Sequence, residues 1–113
     1  MNASLGNTER IRELNDAFRS TGPSAGDWML TCGVRAYGPD FTAAAVAAVR
    51  EHVSFTPDND PYGEHDFGSL NLAGVHLFWK IDHYDRELAY GSDNSANPAV
   101  TRRVLTIMLA SEY

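Results

Sequence analysis

Apolar positions along the chain change period several times, and each change marks an element. Ile11, Leu14 and Phe18 recur at helical spacing behind Asn7 and Thr8, either of which can cap, so a helix is predicted to about Thr21. Gly22-Pro23 stops it, since neither residue readily continues a helix, and Ser24, Ala25 and Gly26 extend the break. A strand is predicted from Asp27 to about Val34, through Trp28, Met29, Leu30, Thr31 and Cys32. Gly38-Pro39-Asp40 then opens a second helix, with Phe41, Ala45, Val46, Val49 and Val53 as its buried stripe. Its alanines suit close packing against a sheet.

From Phe55 to Gly63 two prolines and three Asx residues, in Thr56-Pro57-Asp58-Asn59-Asp60-Pro61-Tyr62-Gly63, favour consecutive turns in an ordered loop. Glu64 to Tyr84 reads as two strands joined at Ala73-Gly74. With that turn, Leu72 faces Val75, Leu70 faces Leu77, Gly68 faces Trp79, Asp66 faces Ile81 and Glu64 faces His83, which makes one face apolar. The other face carries His65, Phe67, Ser69, Asn71, His76, Phe78, Lys80 and Asp82, too polar a set for deep burial. After the polar stretch Gly91 to Ala96, Asn97-Pro98 reads as the N-cap and first turn of a final helix ending near Ser111, with Val100, Val104, Ile107 and Met108 inward.

The resulting order is helix, strand, helix, hairpin, helix, without repeats or low-complexity tracts. It predicts an α+β fold: a small antiparallel sheet of three or four strands centred on the hairpin and packed by about three helices. At 113 residues one domain spanning 1–113 is expected, with residues 1–6 as a flexible start.

Charge narrows the partners. Fifteen Asp and Glu against nine Lys and Arg give a net charge of -6, which repels a phosphate backbone and disfavours direct nucleic-acid binding. A basic protein surface or a metal cation suits that balance better, although acidity also serves solubility. The single cysteine, Cys32, allows no intrachain disulfide and no cysteine-rich zinc site, which fits a reducing, cytoplasmic compartment. No apolar run approaches the roughly 18 residues of a membrane span, and residues Met1 to Thr8 lack the pattern of a secretion signal.

The hairpin register gathers Asp58, Asp60, Glu64, His65, Asp66, Asp82, His83 and Asp85 at one end of the molecule. Carboxylates beside imidazoles can bind a divalent metal or exchange protons. The same residues equally serve as turn caps, with His65 and Asp82 a cross-strand pair. Asp58-x-Asp60-x-Tyr62-Gly63 departs from a calcium loop, because Tyr62 replaces an oxygen ligand and Ser69 stands where a bidentate Glu belongs. No zinc-protease histidine pair or phosphate-binding glycine loop is present, Cys32 lacks a local base, and no residue is assigned as catalytic. His52 and His76 read as ordinary surface residues, and Trp79 as core. Phe67, Phe78 and Tyr84 remain partly exposed beside the acids, and aromatics ringed by acids are also how a protein-binding surface looks.

Phe55-Thr56-Pro57-Asp58-Asn59-Asp60-Pro61-Tyr62-Gly63-Glu64-His65-Asp66-Phe67-Gly68, Phe78-Trp79-Lys80-Ile81-Asp82 and the final segment from Thr101 to Tyr113 resemble a bacterial family catalogued as domain of unknown function 3768. The resemblance covers nearly the whole chain and is weakest at its start. It implies an accessory protein of plasmids and other mobile elements, and with that a role in countering host defence. The chain departs from the resemblance at His83, where similar sequences often carry Tyr, so no fixed role for this imidazole is implied.

Two functions follow as expectations. The first is a non-enzymatic acidic protein-binding module, an anti-CRISPR or anti-restriction inhibitor that meets a basic nucleic-acid-handling protein through Asp58, Asp60, Tyr62, Glu64, His65, Asp66, Phe67, Lys80, Asp82 and Asp85, without a cofactor. The alternative is a small metal-dependent hydrolase in which Asp60, His65, Asp66 and Asp82 hold a divalent metal and its activated water.

Overall fold

The computed structural model describes residues 6–113, so the flexible start expected over 1–6 falls, apart from Gly6, outside the described residues. Helix α1 (Asn7–Thr21) starts from extended Gly6 and ends at Gly22, whose φ of 86° turns the chain out of the helix while its N–H donates to the Arg19 carbonyl. A single 3-10 turn (Pro23–Ala25) leads into strand β1 (Asp27–Leu30). This strand is shorter than predicted. Thr31 ends it, because its Oγ1 accepts from the Val34 N–H and caps helix α2 (Cys32–Arg35) where the sequence reading extends the strand.

Helix α3 (Pro39–Arg50) carries Pro in its first turn, as expected, and buries Ala45 and Val49 completely. Val53 does not join that stripe. The helix closes at Glu51, and Val53 beyond it is 82% exposed. Strands β2 (Phe67–Leu72) and β3 (Val75–Tyr84) form the predicted hairpin in the predicted register, Leu72 opposite Val75, Leu70 opposite Leu77 and Gly68 opposite Trp79. Ala73 and Gly74 have φ of 51° and 81°, the two positive values that a tight two-residue turn matched to strand twist requires.

The final helix is overturned: residues Arg102–Leu109 form strand β4. Asn97 caps a turn instead of a helix, its Oδ1 accepting the Ala99 N–H at 2.9 Å, and Asn94 does the same for Ala96 at 3.1 Å. Strand β4 then lies between β1 and β3 in the order β1-β4-β3-β2, flanked on both edges. It pairs parallel to β1 and antiparallel to β3, so the sheet is mixed and four-stranded where an antiparallel one was expected. A central strand buried on both faces shows an almost unbroken apolar run, and that run also fits a helical spacing.

The core fills the space between one sheet face and the helices. Leu77, Trp79 and Ile81 of β3 and Leu105 and Ile107 of β4 meet Val34, Ala45 and Val49 from α2 and α3, with Phe18 of α1 packed alongside. Each fully buried large side chain stabilises the fold by about 1.5–3 kcal/mol. Gly68 lies directly under the Trp79 indole, which occupies the space a Cβ would need. Among the described residues, no helix is long and apolar enough to cross a membrane.

Candidate functional site

The ten residues read as one surface divide into three places. Asp58, Tyr62, Asp66, Phe67, Lys80 and Asp82 line a concavity of about 610 Å³ on the sheet face opposite the helices, together with Phe78 and Tyr113. Glu64 and His65 instead meet α1, through the Glu64 carbonyl to Asn15 and the His65 ring to Asp16, while Asp60 folds back onto His65. Asp85 is at neither place: its Oδ1 accepts the Ala89 N–H at 2.9 Å and closes a turn.

One backbone angle makes the division. His65 has φ of 54°, rare for a side chain with a Cβ, and this left-handed residue inverts the alternation just before β2 begins. His65 therefore leaves the open face and stacks flat on Phe55, with ring centroids 3.7 Å apart and planes within 2°. Its Nδ1 lies 2.8 Å from Asp16 Oδ1 and its Nε2 lies 3.5 Å from Asp60 Oδ2, so it pairs with these acids and not with Asp82 across the strand. Asp66, placed opposite Ile81 by the register, still hands its carbonyl to the Ile81 N–H at 2.8 Å, but its side chain joins Phe67 at the concavity.

The loop before β2 is built from its own Asx residues. Asn59 Oδ1 accepts from the Thr56 N–H, and Asp60 Oδ1 accepts from the His65 N–H at 3.0 Å. Asp60 is thus a clamp inside the loop, its side chain only 6% exposed. These bonds hold Asp58, Pro61 and Tyr62 at the rim of the concavity.

The floor and far wall are aromatic. Phe67 and Phe78 stand 5.1 Å apart between centroids, and Tyr113 lies 5.6 Å from the first and 5.4 Å from the second. Lys80 is the basic residue among those lining the concavity, and it is held by Asp82 at 2.9 Å, a bond that raises its pKa. Burial pushes the Asp66 carboxyl above the usual range, and the nearby charges of Asp60 and Asp82 push it further. Among the described residues, neither Asp58 nor Asp66 takes part in an ion pair.

Beneath α1 lies a polar network that the sequence reading does not foresee. Asn15 is fully buried; its Oδ1 accepts from Arg103 Nε at 2.7 Å and from His83 Nε2 at 3.1 Å, and its Nδ2 donates to the Glu64 carbonyl at 2.9 Å. Burial and the Arg103 charge push His83 down to about 4, so its imidazole is neutral near pH 7. Glu64 is raised, by burial first and by Asp66 and Asp60 next. Arg19, 4% exposed, donates to Asp16 and to the His52 carbonyl, and its guanidinium sits 5.3 Å from the Phe55 ring centre and 5.2 Å from that of Trp79. His52 is buried, contrary to its reading as a surface residue, and burial lowers its pKa. His76, by contrast, is exposed and bonds Ser69 at 2.6 Å.

The metal set does not assemble. His65 is drawn to Asp16 of α1 with Asp60 clamped behind it in the loop, Asp82 is tied to Lys80, and only Asp66 and Asp82 share the concavity. Among the described residues, no group of three or more His, Cys, Asp or Glu is placed to hold a metal ion. The arrangement suits a different chemistry: an apolar aromatic floor with acids at its edge receives a positively charged group. Phe78 and Tyr113 join the site in addition to the ten residues. Alternation along β3 marks Phe78 for this face, whereas nothing local places Tyr113 there once the last segment is read as a helix.

Residues 30–112 match the model of a family described as "Protein of unknown function (DUF3768)", and the chain belongs to that family. No curated protein and no solved structure matches the chain.

Proposed function

We propose that this member of the DUF3768 family is a non-enzymatic protein-binding module whose open sheet face docks on a basic surface of a nucleic-acid-handling protein in the cytoplasm. The observation that carries this reading is the concavity in which Phe67, Phe78 and Tyr113 are edged by Asp58, Asp66 and Asp82, with Lys80 as the basic residue in its lining. A surface of this kind offers aromatic area for burial and an acidic field for orientation, the division of labour found at protein interfaces. The net charge of -6 favours the same class of partner, since a groove built to hold a polyanion is itself basic. A stoichiometric inhibitor of the anti-CRISPR or anti-restriction type is the form of binder that fits this charge and the mobile-element origin implied by the family resemblance.

The test compares the tagged chain with a variant carrying Asp58→Asn, Asp66→Asn and Asp82→Asn, and with a charge-matched control carrying Glu13→Gln, Glu87→Gln and Asp93→Asn. The native chain and the control are expected to capture one stoichiometric partner from a bacterial host carrying its defence systems, and the concavity variant to lose it. Capture weakens from low to moderate salt, because the charges involved are at least partly exposed. Equal capture by all three proteins, or none by the native chain, overturns the reading.

A further inference from the structure

We propose that the concavity is a recognition pocket for an arginine side chain of the partner, its guanidinium lying against the Phe67, Phe78 and Tyr113 rings and its forked donors meeting Asp66. The inference rests on the binding reading and narrows it to one chemical group.

Three features of the pocket select a cation. Asp58, Asp66 and Asp82 enter its lining from the loop, the residue just before β2 and the end of β3, while Lys80 is engaged by Asp82. Asp66 is partly removed from water with no cation paired to it among the described residues, and burial and like charges already disfavour its ionised form. An incoming positive charge favours the ionised form and so offsets both penalties. The rings complete the case, since their faces attract cations and their area excludes water.

The kind of cation follows from the walls. A bare metal ion needs several oxygen ligands around one point, and the described residues present no such group. An ammonium is compact and strongly hydrated, so an aromatic floor strips it of water without returning hydrogen bonds. A guanidinium is planar and weakly hydrated, stacks on rings and presents parallel donors that fit a carboxylate. At about 610 Å³ the concavity exceeds one side chain, which leaves room for the residues flanking the arginine.

Two labelled peptides of equal charge, identical except that one carries two arginines where the other carries two lysines in a Gly-Ser background, are titrated with the full chain by fluorescence anisotropy. The arginine peptide is expected to bind about tenfold more tightly. Asp66→Asn removes that preference, and it keeps the fold because burial already favours a neutral side chain there. Asp93→Asn, an equal loss of charge at an exposed site outside the concavity, keeps the preference. Phe78→Leu, checked by its melting curve, weakens the arginine peptide more than the lysine peptide.

Equal affinities that still depend on Asp66 overturn the arginine assignment and leave the acidic docking face standing. Binding indifferent to Asp66→Asn overturns the pocket itself. Failure of both peptides to bind also overturns the arginine pocket, whereas the docking reading is judged by capture with the triple variant.

Discussion

Fully buried Asn15 joins α1 to the sheet through Arg103 and His83 and to the loop before β2 through the Glu64 carbonyl, and it does so with a neutral side chain. Removing it strands two donors at once, on buried Arg103 and half-buried His83. Asn15→Ala is expected to cost about 2–4 kcal/mol in chemical denaturation, with Asn15→Asp costing less because a carboxylate still accepts from Arg103. His83 supplies a pH dependence. Its folded pKa, about 4, lies below the 6.5 of an unperturbed histidine, so between these values the unfolded chain takes up a proton that the native state refuses. Its contribution is therefore complete above pH 6.5 and lost as pH falls toward 4. Glu64 and Asp66, raised in the fold, act with the opposite sign, so the comparison has to be made against His83→Gln, which keeps a donor but does not titrate. The stability difference between native chain and variant should shrink by about 2 kcal/mol from pH 7 to pH 4.5 in urea melts. A constant difference would mean that His83 takes up its proton at the same pH in the folded and the unfolded chain.

Among the elements, the hairpin is the one the sequence specifies best, and the reasons are local. A two-residue turn at Ala73-Gly74 and strict alternation on either side leave a single register. Gly68 is part of that specification, because only a residue without a Cβ lets the Trp79 indole cross β2. Gly68→Ala is expected to lower stability by about 2 kcal/mol or more and to shift the tryptophan emission, both readable in one fluorescence melt. Strand β4 is where local signals mislead. Asn97-Pro98 imitates a helix start, and the apolar run from Val104 to Leu109 satisfies either period, so the decision rests with β1 and β3 on its two flanks. The site is legible to the same extent. Phe67, Lys80 and Asp82 follow from strand alternation, whereas the exchange of faces by His65 and Asp66 depends on one left-handed residue that sequence does not announce. Asn15, Asp16 and Arg19 appear as ordinary polar helix positions until the hairpin end is docked on them, 49 residues away in the case of Asp16 and His65.

At the scale of the whole molecule the two sheet faces have separate duties. The covered face holds the core and the buried polar network, and the open face gathers the rings and acids, so the variants proposed for the concavity leave the interior intact. The sheet also joins its most distant segments at one edge: Arg102 holds Asp27 across 75 positions by two hydrogen bonds, beside the parallel pairing of β1 with β4. A chain that must close so long a loop loses configurational entropy before the contact returns anything, whereas the hairpin closes over two residues. The order of assembly expected from this is that β2 and β3 form early, β4 adds to them, and the four-residue β1 docks after the rate-limiting step. Asp27→Asn should then raise the unfolding rate several-fold and leave the folding rate within about a factor of two in stopped-flow experiments. In that order Phe67, Phe78 and the acids around them share one face before the opposite edge of the sheet is sealed, and Tyr113 joins them last, its neighbour Glu112 tied to Thr31 at the end of β1 by a 2.7 Å hydrogen bond.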